Sequence, residues 1–278
     1  MLLGAAEHLA RTRRFSGTVN LIFQPAEETG SGARAMIEAG VLDRYPCDAI
    51  FALHNHPGAP AGSFLMRSGP LMAASDAAEV IVRGRGGHAS RPHLAADPVV
   101  AASAVVMALQ TVISRSVDPS QTAVITVGTI HGGTAGNVIP DEVRLGVSMR
   151  SFSADVRALL QRRLQEVSHQ QAAIFGCTVN VVLESGNPVV LNTPDETALA
   201  LRVVEDLVGP RNVAECPLIP GSEDFGFFLE RKPGCLLRLG NGEESAMLHN
   251  PGYDFNDESL TAGAAMWARL VEEFLSGD

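Results

Sequence analysis

The stretch of sequence that decides the predicted fold is Thr18-Val19-Asn20-Leu21-Ile22-Phe23-Gln24-Pro25-Ala26-Glu27-Glu28. Its first six residues are mostly β-branched, apolar or aromatic and too few for a helix, so they predict a buried strand. Residues 33–39, closed by Gly40, predict a short helix after the two acids. The acids are therefore expected in a turn between the carboxyl end of a strand and the amino end of a helix, where open α/β sheets place their binding sites.

The adjacent carboxylates of Glu27 and Glu28 leave two interpretations open. They are compatible with a solvated turn in which one acid helps the helix to start. Two like charges in an apolar setting are also costly unless a cation or hydrogen bonds offset them, which favours a metal site. In that second case one acid binds the cation, and the other takes a proton from a bound water.

Two further predicted strands end in histidines. Residues 48–53 lead into His54, and residues 235–239 lead through a glycine-rich loop to His249. If the sheet is largely parallel, Glu28, His54 and His249 are expected to converge on one edge and bind a cation. Mixed carboxylate and imidazole ligands suit Zn²⁺ or Mn²⁺, and the pattern does not choose between them.

The order of elements predicts an α/β protein with an inserted domain. Residues 76–185 follow a strand-helix-strand-strand-helix-strand order, which is typical of a ferredoxin-like α+β domain. Residues 1–75 and 186–278 are expected to form the other domain, with helices around a mostly parallel central sheet.

Composition limits the possible functions. The formal net charge of the 278 residues is −10, which argues against a nucleic-acid partner. The longest apolar region, residues 98–113, contains serine, glutamine and many alanines and falls short of a membrane span. The cysteines form no Cys-x-x-Cys pair, so a reducing, cytoplasmic location is expected. They are Cys47, Cys177, Cys216 and Cys235.

Three residues of the predicted inserted domain have both an ordinary and a functional interpretation. His88 lies in a glycine-rich turn, and Asn137 and Arg150 flank the strand that starts at Glu142. An exposed loop and a surface strand explain all three without any function. No Gly-x-Ser-x-Gly nucleophile motif, phosphate-binding loop or His-Glu-x-x-His helix occurs in the sequence.

Seven motifs stand in the same order as in a known family. Together they resemble the N-acyl-amino-acid amidohydrolases, the hippurate hydrolase and auxin-conjugate hydrolase branch of the aminoacylase-type metallopeptidases. The resemblance covers essentially the whole chain. The motifs are residues 23–28, 53–57, 84–89, 92–93, 137–140, 221–225 and 248–251.

The resemblance implies a role for each candidate residue. Glu27 is expected to be the general base, and Glu28, His54 and His249 metal ligands of a two-metal site. His88 is similar to a histidine that reaches into a neighbouring subunit's site and stabilises the oxyanion. Asn137 and Arg150 resemble substrate contacts, the arginine being suited to a carboxylate, and Glu223 resembles an acid that supports the ligands. The implied protein is a homodimer, paired through the inserted lid domain, that hydrolyses an N-acyl amino acid or a short peptide-like substrate.

The resemblance also implies a Cys-Gly-His-Asp segment upstream of a helix similar to residues 1–6, which would supply two more metal ligands. The sequence contains no Cys-x-His pair. The expectation is therefore an amino-terminally incomplete catalytic domain. Two rival hypotheses follow: a catalytically impaired remnant that only dimerises, and a module that binds small acyl ligands without turnover.

Overall fold

The computed structural model describes residues 1–276. Its α-helices are α1 Leu2–Thr12, α2 Gly32–Glu38, α3 Val41–Arg44, α4 Pro98–Ser116, α5 Ala154–Ile174, α6 Pro194–Val208, α7 Gly226–Leu229 and α8 Ser259–Phe274. Its strands are β1 Ile50–His56, β2 Phe64–Met66, β3 Gly69–Met72, β4 Ala74–Arg83, β5 Gly87–His88, β6 Ala123–Gly132, β7 Val138–Ile139, β8 Glu142–Ser151, β9 Thr178–Ser185, β10 Val190–Asn192, β11 Val213–Glu215 and β12 Gly234–Gly240. Short 3₁₀ turns cover Glu27–Thr29, Pro92–Leu94 and Pro210–Asn212.

The chain divides into two compact units. The first contains residues 1–71, 190–219 and 223–278, and the second contains residues 72–189 and 220–222.

The sheet of the first unit has the strand order β1-β12-β2-β11. Two of its pairings are parallel, β1 with β12 and β11 with β2, whereas β12 and β2 run antiparallel. All seven residues of β12 are buried, as a central strand covered on both faces requires. Apolar side chains of β2, β12, α6 and α8 form the core, with Phe64, Leu237, Leu239 and Met266 at most 1% exposed.

The second unit contains a four-stranded antiparallel sheet in the order β6-β8-β4-β9. Helices α4 and α5 pack against this sheet. The buried positions of β8 alternate with less buried ones, as do those of β4 up to Val80. Helix α4 is long and apolar enough to cross a membrane, judged by length and composition alone. The core helix of a soluble protein meets the same two criteria. The α4 side chains Val105, Leu109 and Val112 are fully buried in the core of the unit.

The strand predicted over residues 18–23 is wrong. Residues 18–26 have no assigned secondary structure, and Leu21 and Phe23 are 38% and 60% exposed. A strand needs a hydrogen-bonding neighbour, and no strand of the described residues pairs with this segment. Strand β1 lies at the edge of its sheet, and β1 and residues 18–24 both line a cavity of ≈ 1120 Å³.

Candidate metal centre

The turn that presents Glu27 and Glu28 has a constrained backbone. Ala26 adopts a left-handed conformation with φ 55°, which is uncommon for a residue other than glycine and requires support from its surroundings. A Cβ atom on Gly32 would lie 1.6 Å from the backbone oxygen of Pro25, so only glycine allows the two ends of the turn to approach this closely. The two acids then form a 3₁₀ turn, Glu27–Thr29.

Glu27 lies in a cluster of three acids. Carboxylate oxygens of Glu27, Glu223 and Asp224 all lie within 4.8 Å of one another. Glu223 and Asp224 are 6% and 0% exposed, and the sequence separates them from Glu27 by almost 200 residues. Among residues 1–276, these three acids are the group of at least three potential metal ligands that the structure brings together.

The negative charge of the cluster is poorly compensated. Burial raises the pKa of Glu27, and the charges of Glu28 and Asp224 raise it further. Burial together with the charge of Glu27 raises the pKa of Glu223 to about 7. A nearby divalent cation would offset this negative charge, so the cluster fits a place beside a metal ion.

The other predicted ligands are arranged differently from the expectation. Glu28 and His249 face each other, with Oε2 and Nε2 3.7 Å apart, and both side chains are about three-quarters exposed. His249 is also in the left-handed region, with φ 64°. The expected trio of Glu28, His54 and His249 does not form a cluster of the kind made by the three acids in the described residues.

His54 lies within β1 rather than after it, and its geometry suits a metal ligand. Its Nδ1 lies 2.7 Å from the backbone oxygen of Asn55, which can only accept, so Nδ1 carries the hydrogen and Nε2 carries the lone pair. Burial, and then the charge of Arg238, lowers the pKa of His54 to about 4. The imidazole is therefore neutral at pH 7, as a ligand must be.

The neighbouring His56 differs from His54. Nε of Arg238 donates to Nδ1 of His56 at 3.1 Å, so the hydrogen of a neutral His56 ring lies on Nε2. Arg238 is 4% exposed and lies opposite His54 in the parallel register of β1 and β12. The two histidines thus have opposite tautomers, and His54 is the one with an available lone pair.

Three predicted residues lie in the second unit. Strand β5 pairs with β7, and the N–H of Ala89 donates to the oxygen of Asn137 at 3.1 Å, so His88 and Asn137 are close together. Arg150 lies near the far end of β8, eight residues beyond Glu142 and roughly 26 Å along the strand. The structure therefore groups His88 with Asn137 but not with Arg150.

Sequence reasoning missed two buried groups of this centre. It assigned Glu223 a supporting role and gave no role to Asp224, although the two form a second pair of adjacent acids. That repeated pattern was the available signal for Asp224. No sequence pattern indicated a role for Arg238. An arginine within an apolar strand does not reveal that it will contact a histidine on the neighbouring strand.

Comparisons with known proteins match most of the chain to one family. The sequence model described as "Peptidase family M20/M25/M40" matches residues 1–273. The hippurate hydrolase of Campylobacter jejuni is 37% identical over 276 residues, which are 99% of this chain and 71% of that protein. The IAA-amino acid hydrolase ILR1-like 2 of Arabidopsis thaliana is 40% identical over 99% of this chain and 64% of its own length.

Solved structures show the same fold. The YXEP protein of Bacillus subtilis, described as a dinuclear metal-binding peptidase of the M20 family, matches with a TM-score of 0.84 and 30% identity. The match covers 99% of this chain and 70% of that one.

A third relative by sequence is the N-acetyl-L-cysteine deacetylase of Bacillus subtilis, which is 38% identical over 93% of this chain and 61% of its own length. The chain thus spans between three-fifths and three-quarters of the length of these relatives.

Proposed function

The chain belongs to peptidase family M20/M25/M40, and from this premise we propose that it is a metal-dependent amidohydrolase that splits N-acyl amino acids into a carboxylic acid and a free amino acid. The observation that carries the proposal is the acid cluster around Glu27, whose closely spaced negative charges a cation would offset. The names of the relatives support the substrate class, because hippurate, auxin conjugates and N-acetyl-L-cysteine are all N-acyl amino acids.

The residues that would hold the cation are Glu28, His54, His249 and Glu223. His54 is supported by its tautomer, which leaves the lone pair on Nε2, and Glu223 by its position beside Glu27. A bound Zn²⁺ or Mn²⁺ would acidify water and polarise the amide carbonyl.

Glu27 is the proposed general base. Its carboxylate would accept a proton from the attacking water and deliver it to the leaving nitrogen. The raised pKa of Glu27, which results from burial and from the charges of Glu28 and Asp224, suits that task because a base with a very low pKa accepts protons poorly.

His88 is the proposed donor to the oxyanion. Its Nδ1 accepts from the backbone N–H of Ser90 at 3.1 Å, so the hydrogen of the neutral ring lies on Nε2. Nε2–H is then the side of the ring that can donate to a developing negative charge. Asn137, beside it, would contact the substrate, and Arg150 would bind the substrate carboxylate.

The wider arrangement is also part of the proposal. Residues 76–185 would act as a lid through which two copies pair. Because Arg150 is distant from His88 and Asn137 along β8, the two groups suit different sites of a homodimer. The composition and scattered cysteines support a cytoplasmic location, and the net charge of −10 supports a small-molecule substrate over a nucleic acid.

The test is hydrolysis of hippurate, an auxin–amino acid conjugate and N-acetyl-L-cysteine by the purified chain with Mn²⁺ or Zn²⁺. We expect release of the free amino acid, which a chelator abolishes and added metal restores. Glu27→Gln should lower turnover by about two to four orders of magnitude while metal binding persists. Glu38→Gln, an exposed acid on α2, is the matched control and should leave turnover unchanged. Metal binding without turnover of any substrate would favour the non-catalytic hypothesis.

A further inference from the structure

The buried carboxylate of Asp224 holds both sides of the Glu27–Glu28 turn, and we infer that Asp224 is a positioning residue for the base rather than a ligand of the cation. This inference rests on the proposed function, because it assigns a task within the same site. It also distinguishes Asp224 from the two other acids of the cluster, whose oxygens lie within 4.8 Å of its own.

Two hydrogen bonds of Asp224 define that task. Oδ1 accepts from Nε2 of Gln24 at 2.6 Å, on the segment that enters the turn. Oδ2 accepts from the backbone N–H of Ala33 at 2.9 Å, on the helix that leaves it. A carboxylate oxygen of Asp224 also lies within 4.8 Å of one of Glu27. Asp224 thus joins the entry of the turn to its exit, next to the proposed base.

The constrained turn needs such a contact. The left-handed backbone of Ala26 and the close approach of Gly32 to Pro25 are stable only where neighbouring groups enforce them. The segment before the turn belongs to no sheet, so no ladder of backbone hydrogen bonds fixes it. A fully buried carboxylate with both oxygens hydrogen-bonded provides this constraint from a distant part of the sequence.

Burial argues against ligation more strongly than the hydrogen bonds do. Each oxygen of Asp224 accepts one short hydrogen bond from the protein, which orients the carboxylate toward the turn but leaves a second lone pair on each oxygen. The side chain is also 0% exposed, whereas Glu27 is only partly buried. Asp224 therefore lies beneath the centre, and Glu27 faces the reacting groups.

Asp224→Asn and Asp224→Ala separate the two roles. Asparagine can still accept from Ala33 and, if the amide of Gln24 rotates, donate to the oxygen of Gln24, so it preserves both links without the charge. Alanine removes both links. We expect Asp224→Asn to keep Mn²⁺ affinity and kcat within about threefold of the wild type, and Asp224→Ala to lower kcat about 10- to 100-fold with little change in KM.

Gln24→Ala gives a variant that leaves Asp224 itself intact. It should reduce kcat less than Asp224→Ala does. Combined with Asp224→Ala, it should add nothing further, because both changes break the same link. Hydrogen exchange of residues 24–33 in the metal-free protein should be faster in Asp224→Ala and unchanged in Asp224→Asn, and this measurement needs neither activity nor metal.

Two results would overturn the inference. The first is an Asp224→Asn variant that loses Mn²⁺ affinity as severely as Asp224→Ala, as expected of a ligand. The second is an Asp224→Ala variant in which the amide hydrogens of residues 24–33 exchange no faster than in the wild type. A wild-type chain without turnover would refute the proposed function instead, and the exchange and affinity measurements would still decide the role of Asp224.

Discussion

Replacing Asp76 by asparagine should destabilise the second unit more than any surface charge change on the same strand. Asp76 lies on β4 with its side chain 4% exposed, and its carboxylate accepts hydrogen bonds from two elements. Nε and Nη2 of Arg157 donate at 2.9 and 2.6 Å, and Nε2 of Gln161 donates at 2.9 Å. The N–H of Gly186 donates at 3.3 Å. This one carboxylate therefore joins β4 to α5 and to the end of β9.

The magnitude follows from the loss of charge in a buried pair. Breaking such a pair by removing one partner costs about 3–5 kcal/mol, because the remaining charge loses its oppositely charged neighbour in a partly buried setting. Asparagine retains one acceptor, so the lower end, about 3 kcal/mol, is expected for Asp76→Asn. That corresponds to a fall of roughly 6–12 °C in melting temperature.

The dependence on pH has a definite sign. Burial raises the pKa of Asp76, but hydrogen bonds from Arg157 and Gln161 outweigh burial and leave the pKa below its ordinary value. The stabilisation is therefore fully present above the pKa of the unfolded state, about 3.9, and is lost as the pH falls through the lower pKa of the folded state. The difference between wild type and Asp76→Asn should persist from pH 7 to about 5 and shrink below about 4.

The assay is thermal unfolding followed by circular dichroism, together with hydrogen exchange of peptides from β4 and α5. Tryptophan fluorescence is unsuitable, since Trp267, the single tryptophan, lies in α8 of the other unit. Glu79→Gln is the matched control, because Glu79 is on the same strand and its ion pair with Arg144 is about half exposed. If Asp76→Asn melted at the same temperature as Glu79→Gln, the assignment of Asp76 as the link between β4 and α5 would be refuted.

Two further changes test the first unit. Asn192→Ala should lower the free energy of unfolding by about 2–3 kcal/mol. The side chain of Asn192 is 1% exposed and forms hydrogen bonds with both the N–H and the oxygen of Leu236, which lose this partner in the variant. Urea unfolding measures the change, and Asn212→Ala, which removes an exposed side chain, is the control. Gly32→Ala should displace the Glu27–Glu28 turn and reduce Mn²⁺ affinity, since its Cβ would lie 1.6 Å from the oxygen of Pro25, whereas Gly128→Ala, which meets nothing within 4 Å, should not. Wild-type affinity in Gly32→Ala would contradict the constrained turn.

Most of the elements were predictable because their patterns are local. The sequence pattern predicts helices over residues 154–175 and 195–208, and α5 and α6 match these bounds to within one residue at each end. Residues 18–23 have an equally clear strand pattern and form no strand. The difference is physical: a helix satisfies its own backbone hydrogen bonds, whereas a strand depends on a neighbour that its own sequence does not specify.

The candidate site shows the same limit at the level of side chains. The sequence pointed to Glu27, Glu28, His54 and His249 because each stands at or near the end of an apolar run, and the structure places Glu28 beside His249. The run does not reveal which distant loop will approach Glu27. That contact comes from Glu223 and Asp224, and the buried carboxylate of Asp224 accepts hydrogen bonds from Gln24 and Ala33, nearly 200 positions earlier. An acid in a turn can be recognised from sequence alone. The charged groups that surround it are fixed only by the tertiary fold, because almost 200 residues separate Glu27 and Glu28 from Glu223 and Asp224 in the sequence.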